Sequence, residues 1–199
     1  MPPIKTVIAG AGGRMGQTLL RLAFADPEFE IIGATESANH PAMSEDLGTL
    51  GGGRSRGIGV THDLLDLIRK ADAVLDFTSP AYSLEIAALA AQARIVHVIG
   101  TTGFREADEA KIKAAARHAT IVRSANFSAG VTLLAALVRR AAAALDPTFD
   151  IEVLEMHHRG KVDAPSGTAL LPGAAAAPGR GIPLGTHTDP LRDRVTGPR

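Results

Sequence analysis

Residues 4–16 read IKTVIAGAGGRMG, and the fold can be worked out from how this stretch is punctuated. Residues 4–9 are a short apolar run with β-branched side chains, the composition of a buried strand. Glycines at positions 10, 12, 13 and 16 follow directly, and residues 14–25, RMGQTLLRLAFA, carry apolar side chains at helical spacing. A strand, a glycine turn and a helix therefore succeed one another without a break. At such a junction the first N–H groups of the helix have no intrahelical partner and converge on one spot, where an anionic group such as a pyrophosphate can be held. The spacing departs from G-x-G-x-x-G, because Met15 stands where the third glycine would be. Gly10, Gly13 and Gly16 are expected to supply the turn, the close backbone approach and the helix-packing contact instead.

Outward from this turn, a second strand is expected at residues 30–34, and Glu36 beyond it follows Gly16 by 20 residues. That is a suitable distance for an acid accepting hydrogen bonds from an adenosine ribose; a solvated strand-end carboxylate is the plain alternative. Ser37 stands where an arginine could grip a 2′-phosphate, so Glu36-Ser37 favours NADH over NADPH, although Arg14 could still serve a phosphate. Further apolar runs at 73–77, 95–99 and 121–122 alternate with helical segments at 64–70, 83–92 and 106–118. This is the rhythm of βαβ units and a mostly parallel sheet. Residues 44–59, glycine-rich with Arg54 and Arg56, are expected to be a surface loop too flexible for a helix.

The fold class is accordingly α/β. A Rossmann-like, doubly wound parallel sheet is expected over residues 1–127, and a smaller α+β substrate lobe over residues 128–199. That second lobe opens with an alanine-rich helix from about Ser128 to Leu145, broken by Asp146-Pro147 before a strand at 150–156. Ligands of doubly wound sheets bind beyond the carboxyl ends of the strands, where DFTSP (76–80), GTTG (100–103) and ANFS (125–128) fall. The glycines of GTTG would let the backbone approach a nicotinamide ring, and Asn126 could hydrogen-bond its carboxamide; ordinary turns would have similar compositions.

With 45% hydrophobic and 21% charged residues, the chain has the composition of a globular protein. Its 21 basic and 21 acidic residues cancel, which excludes the electrostatic footprint of a nucleic-acid binder. The N-terminal apolar run is too short for a signal peptide, Arg139 and Arg140 interrupt the most alanine-rich segment, and no membrane span is expected. Without cysteine there is neither a disulfide framework nor a thiolate metal site, so the expected location is the cytoplasm.

The most informative chemistry lies at residues 155–170, EMHHRGKVDAPSGTAL. Adjacent histidines on a strand point to opposite sides, and no third ligand sits at a zinc-type spacing, so no metal is expected. An acid–base reading uses more of the residues: a histidine donates a proton near neutral pH while Lys161 binds or polarises an anionic substrate. Ser166-Gly167-Thr168 at the following helix start would hold a carboxylate on backbone N–H groups. Surface histidines beside a simple capping motif are the bland alternative. Two anion holders and a proton donor imply a small dicarboxylate substrate.

GAGGRMG, DFTSP, GTTGF, ANFSAGV and E-x-HHRGKVDAPSGTAL occur here in the order they take in 4-hydroxy-tetrahydrodipicolinate reductases, also called dihydrodipicolinate reductases, and the chain resembles that family from Ile4 to Arg199. The resemblance implies NAD(P)H-dependent reduction of the cyclic imine formed from aspartate semialdehyde and pyruvate, in lysine and diaminopimelate biosynthesis, by a homotetramer. It implies His157 as proton donor and acceptor, His158 as a substrate-binding residue, Lys161 as a second proton donor, and Gly167 and Thr168 as holders of a substrate carboxylate. The cofactor would be held by Gly10, Ala11, Gly12, Gly13, Arg14, Met15 and Glu36, by Gly100, Thr101 and Thr102, and by Ser124, Ala125, Asn126 and Phe127.

The resemblance also sets an expectation at the other end. Family members continue past the equivalent of Val195 to Arg199 with further strands and a final helix, so a substrate lobe ending at Arg199 is expected to be incomplete and to expose sheet edges and apolar surface. Pro172 and Pro178 are awkward inside the helix expected after Thr168. A non-catalytic nicotinamide-nucleotide-binding fragment is therefore the second functional reading.

Overall fold

Strand β1 (Ile4–Ala9) buries both faces: the neighbours Val7 and Ile8, which point to opposite sides of the strand, are each 0% exposed. A strand of this kind needs a packing layer above and below it, which is the arrangement of a parallel sheet wrapped by helices. The computed structural model, which describes residues 1–146, 148–157, 163–164, 166–183 and 194–195, has this architecture. Two compact units, Met1–Ser124 and Ala125–Arg199, divide the chain.

In the first unit β1 is followed by α1 (Arg14–Ala25), β2 (Phe29–Thr35), a 3-10 turn (Pro41–Ser44), α2 (Leu47–Leu50), β3 (Val60–Thr61), α3 (Leu64–Ile68), β4 (Ala73–Asp76), α4 (Pro80–Ala93), β5 (Val96–Ile99), α5 (Glu106–Ala115) and β6 (Thr120–Arg123). The strands form one six-stranded sheet in the order β3-β2-β1-β4-β5-β6, and every pairing is parallel. One face carries Val7, Ala9 and Val74 against Leu64, Ile68, Ile86 and Ala90 of α3 and α4. The other carries Ile8 and Ile31 against Leu20 and Ala23 of α1 and Leu47 of α2. Each fully buried Leu or Ile contributes roughly 1.5–3 kcal/mol, so the double layer rather than local propensity holds the sheet. The direction of winding reverses between β1 and β4, and the crevice beyond their carboxyl ends is where such sheets bind ligands.

The stretch expected to be too flexible for a helix is instead folded around one carboxylate. Asp46 accepts from the backbone N–H groups of Gly48, Thr49, Arg56 and Ile58 at 2.9–3.2 Å, capping the short helix α2 and closing the glycine loop behind it. Arg56 lies over the Phe24 ring, 4.9 Å from its centroid. Glycine richness thus marks close approach here rather than mobility: a Cβ at Gly48 would stand 2.7 Å from Arg56 Cγ.

The second unit contains α6 (Ala129–Ala144), α7 (Gly167–Arg180) and a two-stranded antiparallel pair, β7 (Asp163–Ala164) with β8 (Arg194–Val195). The strand expected at 150–156 is not formed. Residues 150–157 have no strand pairing, because among the described residues no neighbouring strand offers their N–H and C=O groups a ladder. Helix α7 does run through Pro172 and Pro178, which forfeit two backbone donors. It is held by close packing on α6: Ala142, Ala176 and Ala177 are buried, and a Cβ on Gly179 would stand 2.6 Å from the Arg139 carbonyl oxygen. Arg180 then donates to the Leu145 and Phe149 carbonyls at 2.9 and 2.6 Å, satisfying the end of α6. Among the described residues no helix is long and apolar enough to cross a membrane.

Candidate active site

The glycine turn after β1 is shaped as its spacing requires. Gly10 has φ +75°, a left-handed conformation that favours glycine, and a Cβ at Gly16 would stand 2.9 Å from the Ala11 Cα. Gly16 is therefore the residue that lets α1 begin directly beneath the loop. No side chain caps α1 and no acid occupies its first turn, so the helix start keeps donors and positive dipole facing outward. Arg14 and Met15 are exposed at this start.

Glu36, at the end of β2, is half-buried, and its Oε2 accepts from Gly12 N–H at 3.0 Å while Oε1 accepts from Ser37 N–H at 2.9 Å. The acid is thereby fixed against the glycine loop. His40 stands on the same side: its Nδ1 accepts from Ala42 N–H at 3.1 Å, and its imidazole leaves no room for a Cβ on Gly12. Sequence reasoning passed over His40. It lies in a connection, and only the return of residues 40–42 toward the glycine turn brings the ring there.

Beyond β4 and β5 lies a buried polar network. Asp76 Oδ2 is 3.1 Å from His97 Nε2, and Asp76 Oδ1 accepts from Thr78 N–H at 3.0 Å and from the Thr78 hydroxyl at 2.6 Å. The Ser83 hydroxyl donates to Thr101 Oγ1 at 2.9 Å, and Thr101 Oγ1 also accepts from Thr78 N–H at 3.0 Å. Asp76, Ser83 and His97 are fully buried. Burial acts to raise the Asp76 carboxyl, but hydrogen bonds led by that from His97 hold it below the usual carboxylate range. The network locks Thr78 and Thr101 at the crevice, while Thr102 is exposed beside them. Gly100 is required by the Phe77 ring, whose Cζ would be 2.6 Å from an added Cβ. Arg123 anchors the far side of this loop, paired with both Glu109 oxygens at 2.7 and 2.8 Å and 4.5 Å from the Phe104 ring centroid. The structure thus brings Gly10 to Met15, Glu36, Gly100 to Thr102 and Ser124 to the carboxyl ends of adjacent strands. An uncapped helix start, glycines that admit a close ligand and an acid positioned beside them fit a dinucleotide with a phosphate bridge and ribose hydroxyls.

Ala125, Asn126 and Phe127 belong to the second unit. Asn126 Oδ1 accepts from Ser128 N–H at 3.1 Å, and Ser128 Oγ accepts from Val131 N–H at 3.4 Å to cap α6. At α7, Ser166 is buried and its Oγ accepts from Ala169 N–H at 2.9 Å, the capping geometry expected for Ser166-Gly167-Thr168. Glu155 Oε1 accepts from Ser166 N–H at 2.8 Å, and Glu155 Oε2 lies 3.1 Å from His157 Nδ1. The histidine thereby stands beside the helix start despite nine intervening positions. His158 and Lys161 lie outside the described residues.

Against this geometry, the comparisons with known proteins agree with one another. The family model "Dihydrodipicolinate reductase, N-terminus" matches residues 4–127, and "Dihydrodipicolinate reductase, C-terminus" matches residues 130–194. The 4-hydroxy-tetrahydrodipicolinate reductase of Parvibaculum lavamentivorans is 59% identical over 197 residues, which are 98% of this chain and 73% of that protein. That of Brucella abortus is 58% identical over 194 residues, covering 97% of this chain and 72% of the relative. Among solved structures, dipicolinate-bound dihydrodipicolinate reductase from Paenisporosarcina sp. TG-14 superposes with a TM-score of 0.70 at 30% identity, covering 90% of this chain and 67% of that one. Both family models and relatives of this identity establish that the chain belongs to the dihydrodipicolinate reductase family.

Proposed function

We propose that this chain catalyses the NAD(P)H-dependent reduction of 4-hydroxy-tetrahydrodipicolinate to tetrahydrodipicolinate, with release of water, in the cytoplasm. The observation that carries the reading is the convergence of His157, Glu155 and the α7 start in a chain of this family. When bound, the reduced nicotinamide supplies a hydride. The glycine turn from Gly10 to Met15 and the uncapped start of α1 hold the pyrophosphate, and Glu36 receives the adenosine ribose hydroxyls. Gly100, Thr101 and Thr102, with Ser124, Ala125, Asn126 and Phe127, position the nicotinamide end. The Gly167 and Thr168 N–H groups bind one carboxylate, and His158 and Lys161 neutralise the rest of a small dicarboxylate. His157 delivers the proton, with Lys161 as a second donor.

NADH is the favoured donor because the carboxylate of Glu36, followed by Ser37, suits ribose hydroxyls and repels a 2′-phosphate. We extend the proposal to a homotetramer, the assembly the family resemblance implies; exposed Leu133, Leu134 and Leu137 along α6 supply apolar surface for such contacts. Sedimentation of the purified chain tests that assembly.

Turnover is tested by adding the condensation product of aspartate semialdehyde and pyruvate and following loss of NADH. Dependence of NADH oxidation on that product is expected. Tight NADH binding by calorimetry with no turnover would overturn the reductase reading and leave a nucleotide-binding module.

A further inference from the structure

We infer that Glu155 is a positioning residue of the active site, holding the His157 imidazole and the start of α7 as one unit. The inference rests on the reading of His157 as proton donor. Glu155 Oε1 accepts from Ser166 N–H at 2.8 Å, and Oε2, shut off from solvent, lies 3.1 Å from His157 Nδ1. The two side chains are only 26% and 34% exposed, so water does not fully screen the pair. They are two residues apart in the chain, and the 3.1 Å approach of Oε2 to Nδ1 places both side chains together.

A carboxylate only accepts hydrogen bonds, so the nitrogen facing it carries a proton and the opposite nitrogen, Nε2, is left to face the substrate. In the donating step the Nε2–H bond breaks, the proton passes to the substrate, and the electron pair stays on Nε2. Nδ1 keeps its proton throughout, and Glu155 takes none. The same carboxylate also sorts the donors of α7. It occupies Ser166 N–H while Ser166 Oγ occupies Ala169 N–H, which leaves the Gly167 and Thr168 N–H groups without a partner among the described residues. These are the two groups assigned to the substrate carboxylate. Glu155 therefore sets both the orientation of the proton donor and the position of the anion cradle, and its negative charge is favoured at a helix N-terminus.

The test is Glu155→Gln in the full chain. The amide oxygen can still accept from Ser166 N–H, but the amide nitrogen presents donors to Nδ1 and disfavours the doubly protonated ring. A fall in kcat of at least about 100-fold is expected, the low end of what a positioned general acid contributes, with KM for the condensation product and NADH affinity each within about threefold. Combining it with His157→Ala should add nothing to the loss from His157→Ala alone. Full kcat in Glu155→Gln beside a crippled His157→Ala overturns the role of Glu155 and leaves the proton-donor reading intact; full kcat in His157→Ala overturns the proton-donor reading itself. In the unsubstituted chain, nitrogen NMR of the neutral His157 ring should find the proton on Nδ1. A ring protonated on Nε2 would overturn the inference even if the glutamine variant failed to fold.

Discussion

His97 and Asp76 form a buried pair, Nε2 to Oδ2 at 3.1 Å, with neither side chain reachable by solvent. In register His97 pairs with Val74, two residues before Asp76, so both side chains share one face of the sheet. His97 Nδ1 is also buried and has no hydrogen-bond partner among the described residues, which makes the pair dependent on Asp76 alone. Removing the carboxylate with Asp76→Ala strands the ring and takes the acceptor from the Thr78 hydroxyl, while Thr78 N–H keeps only Thr101 Oγ1, and should cost about 3 kcal/mol in urea unfolding near neutral pH. A cost below about 1 kcal/mol would show that the network is not structural.

That pair also has a pH signature. The Asp76 carboxyl is held below its unfolded value, so its contribution is complete above an ordinary carboxylate pKa of about 4 and declines as the pH falls through the lowered folded value. The same sign holds for Asp46. Desolvation opposes the shift, but backbone donors from Arg56, Thr49 and Ile58 bring its carboxyl down to about 2. Asp46→Asn should therefore be less stable than the parent above about pH 4, and the difference should shrink toward zero as the pH drops through about 2. A difference that grows on acidification contradicts the assignment.

Gly16→Ala should damage the nucleotide site through the backbone. Its Cβ would lie 2.8 Å from the Gly10 carbonyl carbon and 2.9 Å from Ala11 Cα, and neither can move aside without shifting the turn. A loss of NADH affinity of at least about tenfold, or 1.4 kcal/mol, is expected by calorimetry. Gly130→Ala in α6 is the control: the nearest atom would be 3.8 Å away, and affinity should be unchanged.

Arg123 makes a forked contact with Glu109 and lies over Phe104, so Arg123→Lys keeps the charge and loses both geometries. The two side chains are 30% and 41% exposed, which limits the loss to about 1 kcal/mol and makes it smaller in high salt. Chemical unfolding at two ionic strengths checks both points. An effect that is independent of salt would assign the stabilisation to the aromatic contact alone.

Much of the first unit was legible residue by residue. The strand–turn–helix of residues 4–25 has bounds Ile4–Ala9 and Arg14–Ala25 in the structure, because hydrophobic period and glycine placement are local properties. Residues 44–59 were misjudged, since glycine content does not reveal that one carboxylate, Asp46, collects N–H groups from as far as Ile58. Residues 150–156 have strand composition but no ladder among the described residues, and a strand is a property of a pair.

The sequence by itself determined the parallel sheet, the glycine turn at its switch point and the family, since each is written in short contiguous runs. Only the tertiary structure decided which polar groups meet: Asp76 with His97, Glu36 with Gly12 N–H, and Glu155 with both His157 and Ser166. Those partners are set by strand register and chain return, which bring together residues up to 24 positions apart, and no local periodicity encodes them.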